Sequence, residues 1–248
     1  MSNYVHARNI ARQRTSGAVS GALLEAFPGL VAIGDETAPP YRDIRITGPV
    51  MATWKEATIL HTLVKYAKPN RALEIGTSVG WTAAHIASAL PAGGYLSCID
   101  PFTETATGLD TQNIEIATWL HENMERAGVA DRYEIYTQES PAILPRVAEN
   151  TGPWDFAFID GWHLNGQPLR DVEGVMPHMA EKGIVVLHDL LIPDVMEAGR
   201  ALAQNGYYFT GFISRHHLGV FVRGGSVEKM PRWWNKFMRD VDNIFLQE

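Results

Sequence analysis

Two apolar stretches of this chain end at an aspartate with a histidine close by. Phe156-Ala157-Phe158-Ile159 runs into Asp160-Gly161-Trp162-His163, and Ile184-Val185-Val186-Leu187 runs into His188-Asp189. Two carboxylates completed by water and substrate oxygens suit Mg2+, and adding an imidazole also admits Mn2+, Fe2+, Co2+ or Zn2+. Asp160, His188 and Asp189 are therefore a candidate metal set. The competing reading makes both aspartates caps of the helices that follow and His188 a satisfied polar residue. His163 follows Asp160 by three residues on a glycine-opened loop. With an ordinary imidazole pKa of about 6.5, it can accept a proton at neutral pH.

A third apolar stretch, Ala72-Leu73-Glu74-Ile75, leads into Gly76-Thr77-Ser78-Val79-Gly80 and an alanine-rich segment. Glycine has no Cβ and tolerates positive φ, so such a turn lets backbone approach a ligand. Its N–H groups and the helix start behind it favour acceptors and negative charge. A dinucleotide fingerprint needs glycines two and five residues after Gly76; those positions hold Ser78 and Trp81. The lysine of a phosphate-binding loop is also missing. What remains, acid-x-Gly-x-x-x-Gly, suits a ligand with ribose hydroxyls, an amine and a carboxylate but no phosphate, as in S-adenosylmethionine. Asp100 closes the next apolar stretch, Cys98-Ile99, at the distance where an acid accepts from ribose hydroxyls; alone it would read as a turn former. Phe102 either flanks an adenine face or packs. Glu139 and Ser140, after the strand that follows, either bond an adenine edge or form a solvated turn.

Apolar strands at 71–75, 95–99, 133–136, 155–159 and 184–188 have to position these groups. Helices are expected near 80–90, 113–127, 168–179 and 194–204, with another over 52–66. Alternation of this kind predicts an α/β fold, a Rossmann-like doubly wound sheet that is mostly parallel. Tyr207–Ile213 and Leu218–Val222 read as an antiparallel hairpin at its carboxyl-terminal end, giving seven strands. In open sheets of this type ligands bind beyond the carboxyl ends of the strands, at the switch point. Residues 1–50 read as a helical or irregular cap, 51–225 as the catalytic domain and 226–248 as an amphipathic helix with Trp233, Trp234, Phe237, Val241 and Phe245 on one stripe. That stripe suits docking onto the fold or onto a second copy, as in a homo-oligomer. His61, His85, His121 and His178 fall in expected helices and His216-His217 in the hairpin turn, so none stands out.

The 248 residues are 46% hydrophobic with a net charge of −7. No long basic run is present, which argues against nucleic acid and anionic membrane as partners. No apolar run reaches membrane-spanning length. The single Cys98 sits in an expected strand and reads as a buried thiol in a reducing compartment. Arg8, Arg12 and Arg14, with no acid before Glu25, fit an organellar transit peptide or a surface helix, and the surface helix is the plainer reading. The expected location is cytoplasmic.

The residues above resemble the class I S-adenosylmethionine-dependent methyltransferases, and more narrowly the catechol-type and macrolide-sugar O-methyltransferases. Leu73-Glu74-Ile75-Gly76-Thr77-Ser78-Val79-Gly80-Trp81-Thr82 is similar to the catechol-type form of the first cofactor motif, and Asp100 to the ribose-binding acid. Ser140, counted back from Ile143-Leu144-Pro145, matches the adenine-contacting position. The resemblance implies Asp160 and Asp189 as metal ligands, with Asp160 also beside the cofactor, and His163 at the general-base position, as in the sugar-modifying type. The chain departs at Leu190, where catechol enzymes carry an asparagine ligand, and at His188, where the sugar enzymes carry a carboxylate.

The expected activity is transfer of a methyl group from S-adenosylmethionine to a hydroxyl of a small molecule, a sugar or a phenolic natural product. The resemblance implies help from a divalent metal of the magnesium type that lowers the hydroxyl pKa. Cofactor contacts fall to Glu74, Gly76, Thr77, Ser78, Gly80, Asp100, Phe102, Glu139, Ser140 and Asp160. The loop at 101–112 with Tyr41, Met51, Trp54 and Trp162 is the candidate acceptor wall. The alternatives are a nicotinamide-dependent oxidoreductase on the same sheet, disfavoured by the glycine spacing, and a non-catalytic cofactor binder, disfavoured by the pairing of Asp160 with His163.

Overall fold

Among the described residues, apolar runs with β-branched or aromatic residues form the strands, and segments with apolar spacing of three to four form the helices. The computed structural model describes residues 30–32, 52–103 and 113–224, with positions 232, 235, 236 and 239. The strands are β1 (Leu30–Ala32), β2 (Arg71–Ile75), β3 (Tyr95–Ile99), β4 (Tyr133–Tyr136), β5 (Trp154–Ile159), β6 (Met179–Leu187), β7 (Tyr207–Ile213) and β8 (Leu218–Arg223). They form one sheet in the order β1-β7-β8-β6-β5-β2-β3-β4. β8 runs antiparallel to β6 and β7, and every other pair is parallel.

The helices are α1 (Trp54–Ala67), α2 (Trp81–Ala89), α3 (Asn113–Arg126), α4 (Ser140–Thr151), α5 (Gln167–Val175) and α6 (Pro193–Gln204). The two-residue period of the strands divides the core between the two faces of the sheet. Ala72, Leu96, Phe156, Phe158, Ile184 and Val186 are buried with residues of α1, α2 and α3. Leu73, Ile75, Ala157, Ile159, Val185 and Leu187 are buried with residues of α4, α5 and α6. This is the doubly wound arrangement expected from the sequence, and its switch point lies between β2 and β5. Among the described residues no helix is long and apolar enough to cross a membrane.

The structure departs from the sequence reading at three places. The seven expected strands form, but Leu30–Ala32 adds an eighth, parallel to β7, from the segment read as a cap. The helix expected to reach 179 stops at Val175; a 3-10 turn, Met176–His178, follows, and Met179 already pairs with Trp154. A helix not anticipated, α4, occupies Ser140–Thr151 despite Pro141 and Pro145. Pro141 sits in the first turn, where the missing N–H would have no partner within the helix, and Ile143, Leu144, Val147 and Ala148 supply the buried stripe. The remainder of the cap, the stripe from Trp233 to Phe245, Tyr41, Met51, residues 104–112 and the Trp54 side chain lie outside the described residues. Lys236, which is described, places its Nζ 5.8 Å from the centre of the Tyr66 ring on α1.

The sheet ladder continues one residue past four strands. Gly76 N–H donates to Ile99 O (2.9 Å), Asp100 N–H to Tyr136 O (3.1 Å), Asp160 N–H to Ile75 O (2.8 Å) and His188 N–H to Ile159 O (3.2 Å). Strand register therefore sets Asp100, Gly76, Asp160 and His188 side by side at one end of the sheet.

Candidate active site

The turn after β2 has positive φ at Gly76 (89°), Ser78 (48°) and Gly80 (80°). The expected close approach at Gly76 is to protein: a Cβ there would lie 2.1 Å from the carbonyl oxygen of Asp160. At Gly80, which precedes the first residue of α2, a Cβ would lie 2.4 Å from Leu120 Cδ1. These glycines let the turn nest between the β5 loop and α3.

Asp100 ties the turn to its neighbour. Its Oδ2 accepts from Ser78 N–H (2.7 Å) and its Oδ1 from Phe102 N–H (2.7 Å). Burial pushes its pKa up, and these backbone bonds pull against that rise. Each oxygen retains acceptor capacity toward a ribose hydroxyl. Phe102 is buried in the apolar cluster on the α1–α3 side, and Thr77 is buried beneath the turn.

Glu74 points inward. It is fully buried, accepts from Thr82 Oγ1 (2.5 Å) and has the Cys98 thiol 3.8 Å away. Burial raises its pKa to about 8 although Thr82 bonds to it, so at neutral pH it is mostly the uncharged acid. It braces the turn from within the sheet.

The second half of the site gathers Asp160, His163, His188 and Asp189, whose candidate donor atoms all lie within 4.8 Å of one another. Asp160 Oδ1 is 3.0 Å from His188 Nδ1 and 3.2 Å from His163 Nε2, while Asp189 Oδ2 is 3.4 and 3.7 Å from the same two nitrogens. Neither nitrogen has hydrogen-bond alignment with a partner, so the four groups converge on a common point. Asp189 reaches it from a left-handed backbone, φ 53°, a conformation that aspartate tolerates better than most residues.

Burial lowers the pKa of both rings, but the carboxylates outweigh it. Asp160, Asp189 and Glu56 lift His188 well above the imidazole range, and Asp160 and Asp189 raise His163. Burial likewise raises both aspartates, yet His188, aided by His163, holds each below the usual carboxylate value. Two carboxylate oxygens with an imidazole nitrogen between them form a donor set that fits a divalent cation.

Residues 73–190 match the family model described as a methyltransferase domain. The chain is 26% identical over 151 residues to a catechol O-methyltransferase of Niastella koreensis, covering 60% of each chain. It is 27% identical over 182 residues to catechol O-methyltransferase B of Danio rerio, covering 71% of this chain and 62% of that one. The O-methyltransferase TomG of Streptomyces achromogenes, solved with S-adenosylmethionine, shares the fold with a TM-score of 0.56 at 20% identity, over 71% of this chain and 82% of that one. This chain carries a methyltransferase domain and is similar to O-methyltransferases. It spans about 60% of the length of these two curated relatives.

The methyltransferase-domain match over residues 73–190 argues against the oxidoreductase alternative. The methyltransferase domain also has supporting residues that sequence reasoning missed. Ser140, the expected adenine contact, is buried at the start of α4 and donates to Asp171 Oδ1, which also accepts from Gln167 Nε2 (2.8 Å). Burial raises Asp171 to about 6 against these two bonds. Glu139, just before α4, makes no capping bond and is exposed. Trp162 is exposed (43%) beside His163.

The largest omission is Glu56, fully buried in α1. Its Oε2 accepts from Thr53 N–H (2.7 Å) and lies 3.0 Å from His216 Nδ1 and 3.4 Å from His188 Nε2. Its Oε1 accepts from His216 N–H (2.9 Å) and from Ser214 Oγ. Burial raises its pKa, but His188 and His216 together bring it well below the carboxylate range. The one sequence signal was the Thr53-x-x-Glu56 capping box, which marks a helix start. Nothing in that spacing announces the two histidines.

Proposed function

We propose that this protein methylates a hydroxyl of a small molecule, a sugar or a phenolic natural product, with a divalent cation held by Asp160, His188 and Asp189. The observation that carries the reading is His163 Nε2 standing 3.2 Å from Asp160 Oδ1 and 3.7 Å from Asp189 Oδ2, beside the turn that folds onto Asp160. Bound S-adenosylmethionine supplies an electrophilic methyl, and the cation supplies positive charge beside the acceptor oxygen.

The chain does the rest. The 76–80 turn and Asp100 orient the adenosyl end, with Ser140 and Phe102 at its adenine side. Asp160 and Asp189 fix the cation-binding end. His163 takes the acceptor proton onto Nε2 as the new O–CH3 bond forms and the S–CH3 bond breaks. Holding the partners in line supplies much of the rate enhancement for a donor that is already reactive. Trp162 offers an aromatic wall to the acceptor.

The deciding experiment follows S-adenosylhomocysteine release over a panel of catechols, other phenols and sugars, with and without added Mg2+ or Mn2+. Turnover that stops in chelator and returns with metal is expected. Full turnover in chelator would leave Asp160 and Asp189 with a structural role, and no turnover with any hydroxylated acceptor would overturn the reading.

A further inference from the structure

His188 is shared between two carboxylate environments. Its Nδ1 faces Asp160 and Asp189 at 3.0 and 3.4 Å, and its Nε2 faces Glu56 Oε2 at 3.4 Å. Rotating the ring by half a turn would aim carbon at both, so the orientation follows from its surroundings. The ring is 2% exposed and is bounded by the Phe158 ring, 6.1 Å away at 79°, and the His216 ring, 5.0 Å away. His188 Nδ1 is buried, without a hydrogen-bond partner, and aimed into the site.

We propose that Glu56 is a positioning residue: it holds the proton on His188 Nε2, which leaves Nδ1 as a cation ligand and makes the centre selective for borderline cations such as Mn2+, Co2+ or Zn2+ over Mg2+. The inference rests on the cation reading above and adds to it the residue that selects the donor nitrogen. Carboxylates can only accept, and they face both ring nitrogens; with a cation on the Asp160 and Asp189 side taking the Nδ1 lone pair, a neutral His188 ring carries its proton on Nε2, toward Glu56. Ligating histidines almost always donate their second N–H to a carboxylate or carbonyl. Nitrogen ligation raises affinity for later first-row metals far more than for Mg2+, which prefers oxygen.

Glu56 is well fixed for this role. The α1 cap holds it through Thr53, and the β7–β8 turn holds it through Ser214 and His216. Neither element contributes a ligand of its own to the cluster at Asp160. Their shared contribution to the site is the orientation of His188.

The test is calorimetric titration of the full chain with Mn2+, Zn2+ and Mg2+ for wild type, Glu56→Gln, Ser214→Ala, His188→Asn and the double variant Glu56→Gln/His188→Asn. Wild type should prefer Mn2+ to Mg2+ by at least about tenfold. Glu56→Gln should weaken Mn2+ by about 10- to 100-fold and narrow that preference, whereas Ser214→Ala, which removes one bond to Glu56 but keeps its carboxylate, should weaken Mn2+ less than Glu56→Gln does. In the His188→Asn background the Glu56 change should add no further loss. Nitrogen-15 spectra of wild type loaded with Zn2+ should place the His188 proton on Nε2, a readout independent of whether any variant folds. A proton on Nδ1, or equal Mn2+ affinity in Glu56→Gln and wild type, would overturn this inference and leave the cation reading standing. Absence of any divalent binding by wild type would overturn both.

Discussion

The α-carbon of Gly76 faces the carbonyl oxygen of Asp160 so closely that a Cβ would stand 2.1 Å from it. Asp160 N–H in turn donates to Ile75 O at 2.8 Å. The two loops at the switch point are therefore interlocked, and the 76–80 turn cannot shift without moving Asp160, the first carboxylate of the acid–histidine cluster. Gly76→Ala meets both a backbone clash and a left-handed φ of 89°. A loss of about 3 kcal/mol or more is expected, which lowers the melting temperature by roughly 6–12 °C for a chain of this size. Thermal denaturation checks it, and an unchanged melt would mean the β5 loop yields freely.

Glu74 gives a pH signature. Its folded pKa, about 8, lies above the ordinary 4.5, so its contribution to stability is complete below pH 4.5, declines as pH rises, and is gone above about 8. The full span is about 5 kcal/mol at most, at about 1.4 kcal/mol per pH unit. Glu74→Gln stays neutral throughout. The variant should match wild type near pH 5 and melt higher at pH 9; melting curves of the pair that run parallel from pH 5 to 9 would refute the inward, uncharged Glu74.

His163→Ala should reduce methyl transfer by about 10²- to 10⁴-fold while S-adenosylmethionine binding by calorimetry stays within about twofold. The separation between turnover and binding is the diagnostic. Equal losses in both would assign His163 to cofactor binding instead of proton removal.

Asp189→Asn probes the cation cluster with the fold preserved. Asparagine tolerates the left-handed φ of 53° at this position, so stability should change by no more than about 1 kcal/mol. Divalent affinity should fall by at least about tenfold, since one of two carboxylates is lost. Mn2+ titration and a melting curve on the same sample read both quantities, and undiminished affinity would remove Asp189 from the ligand set.

The sequence made much of this legible because strand ends are punctuated by chemistry. Apolar runs stopping at Asp100, Asp160 and His188-Asp189 marked one end of the sheet, and ladder bonds set Gly76, Asp100, Asp160 and His188 there in one row. α4 was hidden because prolines at 141 and 145 speak against a helix unless the first is known to occupy the opening turn. The inward direction of Glu74 was also hidden: strand alternation assigns a face, and only the packed sheet shows that this carboxyl meets Thr82 and Cys98.

Local pattern thus determined the doubly wound sheet, the glycine turn and the row of acids, because hydrophobic period and turn chemistry act over a few neighbouring residues. Tertiary structure decided which distant groups converge. Glu56 meets His188 across 132 positions and His216 across 160, encounters set by how α1 and the β7–β8 turn pack around the end of β6. A capping glutamate and a turn histidine look ordinary along the chain; burial together, where each must find a charged partner, is what gives them a role.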